Sequence, residues 1–142
     1  MTPWPRHPAP LFYCAAAWNF AAGASGLLAT ALSVRIFYGV VDPEPLVLLI
    51  SRLFWLNVVV MGGGYALIAR APGRDRTLIG VALVSKALEF FAWGALAWTG
   101  EATGWAALAG TGNLVFALLF LRFLLGQTSG GVGGRSAPGG AP

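Results

Sequence analysis

The chain has 142 residues, 57% of them hydrophobic and 10% charged, whereas about a quarter of an ordinary soluble domain is charged. That composition belongs to a membrane protein, and four apolar runs filling most of the length leave no room for a separate soluble catalytic domain. The formal charge of +4 comes from nine Lys and Arg that are spread along the chain rather than gathered into a stripe, which excludes nucleic acid as a partner.

Residues 1–10, "MTPWPRHPAP", form an N-terminal segment whose prolines keep a helix from starting. The first apolar run, 11–34, is too long for the core of a signal peptide, and no small-residue cleavage site ends it. "VDPEP" precedes the second run, 46–69; "RAPGRDR" separates it from the third, 77–99; "GEATG" precedes the fourth, 104–125. Each exceeds 20 residues and, at ~1.5 Å per residue, reaches across a ~30 Å hydrocarbon core. Short connections predict an all-α, integral membrane four-helix up-down bundle. From Gly126 the chain reads "GQTSGGVGGRSAPGGAP", Gly, Ser and Pro without apolar periodicity, so 126–142 is predicted to be a disordered cytoplasmic tail.

Charge predicts the orientation. Arg6, then Arg70, Arg74 and Arg76, then Arg122 and Arg135 share one side, while Arg35, Asp42, Glu44 and Glu101 share the other. The positive-inside bias puts both termini in the cytoplasm. Arg70, Arg74 and Arg76 are also lipid-phosphate candidates, although topology alone accounts for them.

The third run carries Lys86 and Glu89. Its nine Leu, Ile, Val and Phe favour insertion by roughly 3 to 5 kcal/mol, while the two charges cost about 5 to 7. Something must neutralise them, and each is the other's nearest candidate, because residues three apart share a helical face. Trp93 continues that face. Counting at ~1.5 Å per residue, Asn19 lies roughly 12 Å and Lys86 roughly 14 Å below the inner boundary. Asn57 and Asn113 lie roughly 17 and 14 Å below the outer one. Every helix is thus expected to contribute one polar group to a central layer. Two readings stay open: the layer holds the helices in register through hydrogen bonds, or Lys86 and Glu89 form a ligand- or proton-binding site. Arg52, about six residues into the second run, either snorkels outward or turns inward and competes with Lys86 for Glu89.

Ala17, Ala21, Ser25, Ala29 and Ser33, and likewise Ala109, Asn113 and Ala117, recur every fourth position and are expected at close helix contacts. The "GGGY" at Gly62 to Tyr65 is read as a close-packing surface in preference to a flexible point near the cytoplasmic end, because neighbouring helices can support the loosened backbone. Trp55, Trp98, Trp105 and Tyr38 fit an outer interfacial belt, Tyr13 and Tyr65 an inner one.

One cysteine, Cys14, excludes an internal disulfide, a CxxC pair and a thiolate zinc cluster. One histidine, His7, precedes the first run and excludes a bis-histidine haem within the bundle. No cofactor is expected.

The stretch "GGGYALIARAPGRDRTLIGVALVSKALEF", with "WNFAAG" and "GNLVFALLFLRFL", resembles uncharacterised small four-helix bacterial membrane proteins. In these a Gly-Tyr closes the second span, an Arg- and Pro-containing turn follows, and a lysine sits within the third. The resemblance implies a glycine before that lysine and an aspartate in the fourth span; Ser85 and Asn113 stand there instead, which counts against a two-carboxylate mechanism. Size and span count are also similar to the DoxX-like group, which implies quinone-linked redox chemistry, with no catalytic motif matched residue by residue.

The leading expectation is a multi-pass, non-enzymatic protein of the bacterial inner membrane, an accessory, assembly or small-ligand-binding component centred on Lys86 and Glu89. Its alternatives are a proton-coupled transporter using Glu89 and a quinone-linked redox subunit. The partners expected are the lipid bilayer and either further copies in a homo-oligomer or a larger membrane complex.

Overall fold

In a computed structural model, residues 8–74 and 76–128 are described. They form five helices and no strand: α1 (Ala9–Leu28), α2 (Thr30–Tyr38), α3 (Pro45–Arg70), α4 (Arg76–Trp98) and α5 (Gly104–Thr128). Four of them, α1, α3, α4 and α5, are long and apolar enough to cross a membrane. Arg6, His7, Arg135 and the tail beyond Thr128 lie outside the described residues.

Local chemistry sets most of the ends. Proline opens α1 and α3 in their first turns, where its missing N–H has no helical partner to lose. Gly39 closes α2 with φ 73°, a conformation that costs a glycine nothing. The first run was expected as one helix over 11–34; it is interrupted at Ala29, whose φ −127° and ψ 50° leave the helical region. Thr30 Oγ1 donates to the Leu27 carbonyl at 3.1 Å and Ser33 Oγ to the Thr30 carbonyl at 2.8 Å. Hydroxyls that compete for backbone carbonyls in this way are a usual cause of an interrupted helix. The expected tail also starts later, because α5 carries Gly126, Gln127 and Thr128.

The helices pack as two pairs, α1 along α3 and α4 along α5, with far more extensive contact within each pair than between them. Within the first pair, backbones come close at glycines. A methyl group on Gly23 would stand 2.6 Å from Val59 Cγ2, and one on Gly26 would overlap the Trp55 ring. Gly62 sits where a methyl would meet Phe20 at 3.1 Å and the Ala16 carbonyl at 3.3 Å, so the close-packing reading of "GGGY" fits this glycine. The stripe expected on α1 is a different one: Ala17, Ala21, Ser25 and Ala29 are exposed, while Ala16, Asn19, Gly23 and Gly26 are buried.

Large side chains fill the space between the pairs. At one end Phe12 stacks on Phe120 and meets Phe123 edge-on, both at 5.4 Å between centroids. At the other end Phe37 lies 5.7 Å from Trp55 and 5.6 Å from Trp93, and Thr103 N donates to the Phe37 carbonyl at 2.8 Å. Two residues assigned to interfacial belts belong to this interior instead. Trp55 is buried with Nε1 donating to Ser33 Oγ at 2.9 Å, and Tyr65 is buried beside Phe120. Tyr13, Tyr38, Trp98 and Trp105 are exposed.

The outer faces are predominantly apolar, with Arg52 and Asn57 on α3 among the exceptions. Leu49, Leu53, Leu56, Val60 and Leu67 on α3 and Val81, Val84, Leu88 and Phe91 on α4 are all exposed. In water such patches would drive aggregation; against hydrocarbon they cost nothing. This is the signature of an integral membrane protein.

A lysine tripod between two helix pairs

Lys86 stands near the middle of α4 with 2% of its surface exposed. Its Nζ donates to Asn19 Oδ1 at 3.1 Å, to Asn113 Oδ1 at 2.9 Å and to Glu89 Oε2 at 3.1 Å. An ammonium group has three N–H donors, so each is used. Asn19 Nδ2 in turn donates to the Ala15 carbonyl at 2.8 Å, which aims the amide oxygen at the lysine. The Tyr65 ring lies below, its centroid 5.9 Å from Nζ, within the range of a cation–π contact.

The tripod crosses the boundary between the pairs: Asn19 belongs to α1, Lys86 and Glu89 to α4, Asn113 to α5. Three of the four helices expected to feed a polar layer do so. Asn57 does not: it is exposed on α3 and has no hydrogen bond among the described residues. The equal depths of Asn19 and Lys86 were readable by counting residues, whereas the direction of Asn57 was not, because depth says nothing about which side of a helix a residue occupies. Arg52 is exposed and takes no part in the network, so it does not compete with Lys86 for Glu89. Arg70, Arg74 and Arg76 are exposed around the α3–α4 turn, where Arg76 Nη2 donates to the Leu124 carbonyl at 3.3 Å.

Glu89 is the less satisfied member. Its side chain is 23% exposed, Oε2 accepts from Lys86, and Oε1 has no hydrogen bond among the described residues. Asn113 Nδ2 likewise donates to no described residue, and the Tyr65 hydroxyl is buried without a partner. Counting depth did not single out Tyr65; Gly62, the one glycine of the run before it that packs against α1, was the available signal.

Above the tripod lies a cavity of about 70 Å³ walled by Trp18, Phe37, Phe54, Trp55 and Trp93, with Asn19, Lys86, Glu89 and Asn113 at its polar end. A second cavity of about 150 Å³ shares Phe37, Phe54, Trp55 and Trp93 and adds Ser33, Tyr38 and Ser51. The two have four aromatic wall residues in common, and even their summed volume stays below the ~300 Å³ of a full small-molecule pocket. Among the described residues no cluster of three or more His, Cys, Asp or Glu is arranged to hold a metal ion.

No family model matches the chain, and no match is found among curated proteins or solved structures. The resemblance to small four-helix and DoxX-like proteins is therefore unconfirmed.

Proposed function

We propose that this chain is a non-enzymatic, multi-pass protein of the bacterial inner membrane that binds the ring of a small lipid-soluble molecule between its two helix pairs. The observation that carries the reading is the division of labour around Lys86. The lysine has each donor engaged and ties three helices together, so its role is structural. The aromatic cavity beside it keeps a polar end with a donor still to be satisfied, Asn113 Nδ2. Apolar walls with a few oriented polar groups are what a small-molecule site requires.

The arrangement proposed is up-down with both termini cytoplasmic. Supporting it, Gly26 of α1 meets Trp55 early in α3, while Ala16 meets Gly62 later in α3; Lys86 meets Asn113, while Arg76 meets Leu124. Residue numbers rise along one helix as they fall along its neighbour. The arginines of the α3–α4 turn support the cytoplasmic side, and lipid-phosphate contact by Arg70, Arg74 and Arg76 accompanies that placement.

Ala22 also lines the smaller cavity, and the test is extraction of the purified protein in parallel with an Ala22→Leu variant, in which the larger side chain fills that cavity, both analysed by mass spectrometry. A ring-containing molecule enriched with wild type and missing from the variant supports the reading. Extracts that match each other and the surrounding lipid refute it. A quinone in the wild-type extract would favour the redox-subunit alternative. Proton-dependent export lost in Glu89→Gln would favour the transport alternative.

A further inference from the structure

The outer face of α4 forms a broad open groove bordered by Thr77, Val81, Val84, Ser85, Leu88 and Glu89. Only α4 residues line it, so no second helix of this chain closes it over a small molecule. A methyl group on Gly80, in the same face, would meet nothing within 4 Å. This face looks out at hydrocarbon, yet it carries two polar groups that lack partners. Glu89 Oε1 accepts no hydrogen bond, and Ser85 Oγ donates none, among the described residues. The serine does not even bond back to the carbonyl four residues earlier, as Thr111 does to Ala107 at 3.1 Å.

In the bilayer core an unsatisfied polar group is costly, and lipid tails supply neither donor nor acceptor. One turn of helix separates Ser85 from Glu89, so the donor and the acceptor are presented on a single strip. We propose that this strip is the interface with a second copy of the chain, the two α4 helices packing in parallel about a twofold axis along the membrane normal. Copies inserted with the same orientation have parallel α4 helices. In a parallel pair each position faces its counterpart and the positions one turn away, which puts Ser85 of one copy beside Glu89 of the other. The twofold axis makes the contact self-complementary: each copy gives one hydroxyl donor and takes one at its carboxylate. Gly80 and Ser85, with their small side chains, let the backbones approach, as close membrane helix pairs require. An unrelated membrane helix would need its own donor and acceptor at matching depth; an identical copy has both.

Lys86 takes no part in the contact. It holds Oε2 from within the fold and leaves Oε1 of the partly exposed carboxylate for the second copy.

The test uses the full chain in native membranes with Cys14→Ser as background. Single cysteines are placed in the groove, Val81→Cys or Leu88→Cys, and on other exposed faces, Val60→Cys on α3 and Leu118→Cys on α5. Under mild oxidation the groove cysteines should give disulfide-linked dimers at least tenfold faster than the controls. Energy-transfer measurements of dilution in lipid then read the affinity. Ser85→Ala should weaken association about eightfold, the factor given by two hydrogen bonds of the strength found between membrane helices, and Ser85→Thr should restore it. Since Ser85 bonds to nothing within the fold, loss of folding does not enter. Equal cross-linking at all four positions, a groove cross-link to a protein of another mass, or an association unchanged by Ser85→Ala would each overturn the proposal.

Discussion

Replacing Lys86 with methionine keeps the length of the side chain and removes the charge and three donors. Two of the lost bonds join separate helices, to Asn19 and Asn113. At about 0.6 to 1.7 kcal/mol each, as measured between membrane helices, they account for about 1 to 3 kcal/mol. The third loss leaves the Glu89 carboxylate without its cation, and removing one partner of a buried ion pair costs about 3 to 5 kcal/mol. Because Glu89 is 23% exposed, the low end of both ranges applies, and Lys86→Met should cost about 4 kcal/mol. Glu89→Gln leaves the lysine two amide acceptors and offers an oxygen in place of the carboxylate, at a cost of about 1 kcal/mol. The double variant has no charge to strand and should cost about 2 kcal/mol, well short of the sum of the singles. Equilibrium unfolding in bicelles, by a trap that binds only the separated helices, measures all four proteins. Equal costs for the two single variants, or a double variant that is simply additive, would refute the account of Lys86 as the tie between the helix pairs.

Three further outcomes follow from the packing. Gly26→Ala should destabilise by about 1 to 3 kcal/mol, since its methyl overlaps the Trp55 ring, whereas Gly63→Ala, with nothing within 4 Å, should be neutral or gain up to about 1 kcal/mol of helix propensity; thermal melts in detergent compare them. Trp55→Phe keeps the ring contact and removes the donor to Ser33, so it should lose about 1 kcal/mol in the same melts, and Ser33→Ala should add little on top of it. Maleimide labelling of single cysteines in sealed inverted vesicles should reach Gly73→Cys from the cytoplasmic face and Glu101→Cys only after permeabilisation; the reverse pattern would invert the proposed orientation.

Much of the architecture was legible because it follows from length and composition. Runs of over twenty predominantly apolar residues bounded by prolines, glycines and arginines specify a helix long enough to cross a bilayer, and four such runs give the four long helices α1, α3, α4 and α5; the break at Ala29 that sets α2 apart was not legible in this way. The depth of a residue along its helix was legible for the same reason, and it put Asn19 and Lys86 at one level, where they bond. What the sequence could not decide was direction around each helix. In a soluble protein the polar face marks the outside, but in a membrane both sides of a helix are apolar. Small residues occupy so many positions of α1 that several stripes are available; the tertiary fit of Gly23 and Gly26 against Trp55 and Val59 chose one, and turned Ala17, Ala21 and Ser25 outward. The same cause misplaced Tyr65 and Trp55, aromatics equally suited to an interface or a core, and sent Asn57 away from the layer that Asn19 and Asn113 complete. The sequence by itself determined four apolar helices and one charged pair among them. Only the tertiary structure decided that the lysine would be saturated by two amides from other helices, because that depends on how helices rotate against one another, and rotation is set by packing between residues distant in the chain.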